Sequence, residues 1–153
     1  MSYNLKYIVK VKFTKEFTDG TLKRVTEPYL LEASCFTDAE GRIFKEVGEY
    51  VRGEFIVQAM SKIDVSDIFF YDDSDTWFKV KIQFVTTDAD SGKEIKQSNT
   101  YFLTAHTTAE ANQRIIDSLS GLLVSYDITS VVKTQIVDYF PYLPEETYKN
   151  EEE

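Results

Sequence analysis

An α+β fold made of two tandem ββαβ(β) units is what this 153-residue sequence predicts, each unit an antiparallel sheet covered by one helix and the pair related by a pseudo-twofold. Three observations carry the expectation. Two stretches of chain read alike; each opens on alternating apolar residues broken by a glycine turn; each continues into apolar residues at helical spacing. Val9-Lys10-Val11-Lys12-Phe13 matches Phe78-Lys79-Val80-Lys81-Ile82, and the run around Tyr29, Leu30 and Ala33 matches that around Tyr101, Phe102 and Ala105. Thr37-Asp38-Ala39-Glu40 answers Thr107-Thr108-Ala109-Glu110, and Asp67-Ile68-Phe69 answers Asp138-Tyr139-Phe140. The paired stretches stand 69 to 72 residues apart, so small insertions in turns account for the drift.

The elements follow in order. Tyr7, Val9, Val11 and Phe13 alternate with Ile8, Lys10 and Lys12, the period of a strand with one buried face, and Phe78, Val80, Ile82 and Phe84 repeat it. Thr18-Asp19-Gly20 and Asp90-Ser91-Gly92 then supply a residue that tolerates positive φ between two strand-like runs, which predicts hairpins. Thr37 with Glu40, and Thr107 with Glu110, have the spacing of a capping box at a helix start. Ala39, Ile43, Val47 and Val51 recur every four residues, as do Ile115 and Leu119. Beyond each helix lies a β-rich run, Phe55 to Phe70 and Val124 to Phe140, open between one bent strand and two short ones. The expected units are 5–70 and 77–141. The polar junction Tyr71–Thr76 is too short to keep them independent, and 142–153, with five glutamates after residue 144, is expected to be a flexible acidic tail.

Val25-Thr26-Glu27-Pro28-Tyr29-Leu30, Phe36-Thr37-Asp38-Ala39-Glu40, Trp77-Phe78-Lys79-Val80-Lys81 and Asp138-Tyr139-Phe140-Pro141 carry a resemblance. In them the chain resembles a family of small, functionally uncharacterised proteins of Bacteroidetes bacteria and their phages, from about Tyr7 to Pro141. The resemblance implies kinship and brings no catalytic residues with it.

Composition narrows the chemistry. A formal charge of −9 argues against coating nucleic acid through phosphate neutralisation. One cysteine and no basic-then-apolar leader point to a reducing, cytoplasmic setting, in the host cell or as a virion component, and no apolar run is long enough for a membrane helix. His106, the only histidine, removes every multi-histidine metal site. Cys35 has no partner cysteine and reads as a small hydrophobe. Asp64, Asp67, Asp72, Asp73 and Asp75 gather oxygen ligands but lack the EF-hand glycine and closing glutamate, so they read as a solvated turn. Neither phosphate-binding glycine pattern occurs. No catalytic residue, metal or cofactor is therefore assigned.

The residues singled out for a ligand or partner surface are Lys10, Lys12, Lys79 and Lys81, which alternation puts opposite the apolar faces, and the aromatics Tyr29, Tyr101 and Trp77. They suit a protein partner, self-association or a small anionic ligand. The leading expectation is a non-catalytic binding or assembly protein. The alternatives are a phage-encoded inhibitor of host defence, acting by nucleotide sequestration or acidic mimicry, and a small metal-dependent hydrolase or nuclease using Asp72, Asp73, Asp75 and His106.

Overall fold

A computed structural model describes residues 5–142, so the acidic end from residue 143 lies outside the described residues. The elements run β1 (Leu5–Glu16), β2 (Leu22–Ala33), α1 (Phe36–Gly48), β3 (Phe55–Ile63), β4 (Asp67–Phe69), β5 (Thr76–Thr87), β6 (Glu94–Ala105), α2 (Thr108–Ser118), β7 (Ser125–Lys133) and β8 (Tyr139–Phe140). The class is α+β, with two helices and two four-stranded sheets. Each β-rich run after a helix resolves into two strands.

The hairpins form as their alternation and turns dictate. β1 pairs with β2 from Leu5 opposite Ala33 to Glu16 opposite Leu22, and β5 with β6 from Thr76 opposite Ala105 to Thr87 opposite Glu94. Gly20 and Gly92 take φ of 84° and 72° in the turns, a region where a side chain would be strained. The third strands, β3 and β7, add antiparallel to β1 and β5, each with a register shift, at Lys10/Val11 and Lys81/Ile82.

The fourth strands depart from the expectation of antiparallel sheets. β8 pairs parallel with β2, through Leu30 opposite Tyr139, and β4 pairs parallel with β6, through Phe69 opposite Leu103, so both sheets are mixed. The strand orders are β3-β1-β2-β8 and β4-β6-β5-β7. The chain accordingly divides into one compact unit of Met1–Ile63 with Ile136–Glu153, and a second of Asp64–Gln135. Relative to the ranges 5–70 and 77–141, the last strand of each segment stands in the other unit's sheet. Chain length explains this. To lie parallel beside β2, β4 would need a crossover of a dozen or more residues, and only Asp64, Val65 and Ser66 separate it from β3.

Within the first unit, Tyr7, Val9, Val11 and Phe13 pack with Tyr29, Leu31 and Ala33, under Ala39, Ile43 and Val47 of α1, with Phe140 of β8 joining them. Phe78, Val80 and Ile82 pack with Tyr101, Leu103 and Ala105 under Ala111, Ile115 and Leu119 in the second, with Phe69 of β4 against them.

The helix starts correct one expectation. Thr107 caps α2, its hydroxyl accepting from the Glu110 N–H at 3.1 Å, but Thr37 caps nothing. α1 begins earlier, after Cys35 in extended conformation, with no side-chain cap. Its entrance is held by Asp38, which accepts from the Ser34 N–H (2.9 Å) and hydroxyl (3.1 Å), while Phe36 packs edge-on against Tyr7. Aligned on their buried stripes, Ala39 with Ala111 and Ile43 with Ile115, the two helices bring Cys35 opposite Thr107. Thr107→Ala should therefore cost about 1 kcal/mol, Thr37→Ala almost nothing, and Cys35→Ser should add about 0.5–1 kcal/mol in urea unfolding. Equal losses from the two threonine variants would contradict this assignment.

Candidate functional site

A polar cluster in the second unit is built where the β4–β5 connection meets the start of α2. Arg114, one turn beyond Glu110, reaches Asp73 Oδ2 at 2.7 Å, Glu110 Oε1 at 3.1 Å, Ser74 Oγ at 3.0 Å and the Thr104 carbonyl at 2.8 Å, with its guanidinium 4.2 Å from the Tyr71 ring centroid. His106 Nδ1 lies 2.8 Å from Glu110 Oε1 and Nε2 2.7 Å from the Asp73 carbonyl. Both ring nitrogens thus face acceptors, an arrangement that only the imidazolium satisfies in full. The hydrogen bond to Glu110 and that to the Asp73 carbonyl accordingly push the His106 pKa up. Arg114 holds the Asp73 carboxyl below its usual range, and the His106 backbone N–H does the same for Glu110.

Asp73, His106 and Glu110 bring three ligand-type atoms within 4.8 Å of one another, the grouping the hydrolase alternative needs in part; Asp72 and Asp75 are not in it. Arg114 is bonded to both carboxylates, so a divalent cation there would have to displace a guanidinium. The cluster works as a clamp on the β4–β5 connection. The first unit carries a parallel clamp: Arg42 donates to the Glu32 carbonyl and, at 2.8 Å, to the Pro141 carbonyl, and lies 5.4 Å from the Tyr142 ring.

The clamp's pH response follows from these directions. Stability supplied by the raised histidine is complete below about pH 6.5 and is lost as pH rises through its folded value; that supplied by Asp73 and Glu110 is lost as pH falls through their lowered values. The melting-temperature advantage of wild type over His106→Gln should peak in mildly acidic buffer and shrink above neutrality. A pH-independent difference would refute the imidazolium contact.

A different feature marks the first unit. A cleft of about 540 Å³ is walled by Phe13, Leu22, Tyr29, Tyr50, Val51 and Val137, with Glu27, Asp138, Lys15 and Arg52 among its polar groups. Tyr29 and Tyr50 both stack with Phe140, at centroid distances of 5.6 and 6.4 Å. The Tyr29 hydroxyl donates to Glu27 Oε2 at 3.1 Å, and Glu27 Oε1 receives the Lys15 ammonium at 3.1 Å. Burial, then Glu27, raises the Tyr29 pKa, whereas Tyr50 is raised first by the adjacent Asp138 carboxylate.

One family profile, described as a domain of unknown function, DUF4494, matches residues 6–142. The chain belongs to the DUF4494 family. No curated protein and no solved structure matches it. Family membership accordingly assigns no activity to either the clamp or the cleft.

Of the seven surface residues expected in this DUF4494 chain, the structure places Tyr29 alone in the wall of that cleft. Tyr101 stacks on Phe69 within the second core, and Trp77 is 1% exposed and stacks on Phe70. Lys10 and Lys81 are exposed, and Lys12 and Lys79 half-buried, on strand positions alternating with the core residues. Sequence reasoning missed Arg42, Arg114, Glu27 and Tyr50. Arg42 and Arg114 sit at one spacing from the aligned helix stripes, a signal present in the sequence; Glu27 and Tyr50 meet Asp138 only through the parallel β2–β8 pairing and gave none. Among the described residues, no helix is long and apolar enough to cross a membrane.

Proposed function

We propose that this is a non-catalytic binding protein of the cytoplasm of a Bacteroidetes bacterium or its phage, grown by tandem duplication, with a small-molecule site in the cleft of its first unit. The carrying observation is the cleft: its volume is that of ordinary ligand pockets, and its walls are aromatic and aliphatic with a few convergent polar groups. The duplication is supported by the hairpin registers, which set Leu5 with Thr76 and so bring the bulges at Lys10/Val11 and Lys81/Ile82 to equivalent places, two residues from the pairing of Lys10 with Lys79 that the sequence match implies. The arginine clamps support it as well. Lys10, Lys12, Lys79 and Lys81 would present ammonium groups to an acidic partner.

Filling the cleft tests the reading. Small aromatic and aliphatic fragments screened by thermal shift should yield ligands that stabilise wild type and lose their effect on Val51→Trp. If no fragment distinguishes the two proteins, the cleft is not a binding site.

A further inference from the structure

We infer that the cleft of the first unit selects an organic cation, a primary or quaternary ammonium head on an apolar body. The inference rests on the reading of the cleft as a ligand site and adds its chemistry. Glu16, Glu27 and Asp138 line the cleft, against Lys15 and Arg52. Glu46 and Glu49 also act on the Tyr50 hydroxyl, so the field around the tyrosine pair is negative. Of the three rings in the lining, Phe13, Tyr29 and Tyr50, the Tyr50 ring is the exposed one, at 63%, and it is the ring on which a ligand ammonium group could be held.

The protein's own chemistry supplies the second observation. Glu27, whose side chain is only 18% exposed, already carries an ammonium, that of Lys15, whose side chain is 47% exposed. A surface lysine pair of this kind is weak, so a ligand ammonium can displace it at little cost. The Lys15 head then marks where the ligand head sits, while Phe13, Leu22 and Val51 are left to receive the apolar body. An anionic ligand of the same shape would meet the Glu27 and Asp138 carboxylates, and a neutral one would leave the carboxylates' charge unused.

The test uses four probes of one size: benzylamine, benzyltrimethylammonium, benzyl alcohol and benzoate. Each is titrated into the full chain near neutral pH while backbone amide shifts of Val51, Arg52 and Val137 are followed by NMR. Both cations should saturate these shifts, with benzyl alcohol weaker by about tenfold or more and benzoate without effect. Glu27→Gln and Asp138→Asn should each weaken the cations by about tenfold. Lys15→Met should tighten them, a gain that misfolding cannot imitate. Benzyl alcohol or benzoate binding as tightly as the cations, at the same amides, would overturn the cation inference and leave the cleft reading intact. Loss of cation binding in Lys15→Met would also overturn it. Silence from all four probes, together with fragments that fail to distinguish Val51→Trp, would overturn both.

Discussion

Phe140→Ala is expected to destabilise the first unit by about 3–5 kcal/mol in urea unfolding, although β8 is two residues long and far along the chain from the sheet it joins. The residue is 6% exposed, belongs to the core under α1, and stacks with both Tyr29 and Tyr50. Its removal opens a cavity that neither tyrosine can fill, since Tyr29 is tied to Glu27 and Tyr50 to Asp138. Phe140→Leu should recover most of the loss by keeping the volume apolar. A loss within about 0.5 kcal/mol for Phe140→Ala, the range of an ordinary surface change, would mean that β8 is not docked.

The other large effect is expected from dividing the chain. A fragment of residues 1–74 keeps β1, β2, α1 and β3 but lacks β8, and it carries β4 without the β6 on which it pairs. Residues 75–153 have the reciprocal defect. Each is also small enough that a single incomplete core gives marginal stability. Separately, the fragments should show weak, uncooperative melting or self-association. Mixed in equal amounts, they should regain the far-UV spectrum and cooperative melt of the whole chain, because each supplies the strand the other lacks. Two fragments that fold stably as monomers would sink the exchanged-strand topology.

The sequence made the hairpins and helices legible because their signals are local. Alternation along β1 and β5 marks the buried face, glycines at positive φ mark the turns, and four-residue recurrence marks α1 and α2. The parallel pairings were not legible. β4 and β8 carry only three and two residues, and what decides their partners is the shortness of the preceding connection. Capping was half legible: Thr107 does as its spacing suggests, while at α1 the contact of Phe36 with Tyr7 and the bonds from Ser34 to Asp38 fix an earlier start than Thr37 implies. The cleft was visible only through Tyr29. Glu27, Tyr50 and Asp138 come from three separate stretches, and no periodicity joins them.

The exchanged strands also set an order of completion during synthesis. The second unit is one continuous segment, Asp64–Gln135, and holds everything its sheet requires once β7 has left the ribosome. The first unit begins the chain yet must wait for Tyr139 and Phe140 before its sheet gains a fourth strand. The usual N-terminal-first sequence of domain folding is thereby reversed. Until then the first three strands present the open edge of β2, whose Leu30 and Leu31 are unpaired on that side, to other nascent chains or chaperones. A premature stop codon directly after Asp138 would, for the same reason, damage the unit whose first three strands had been made long before it.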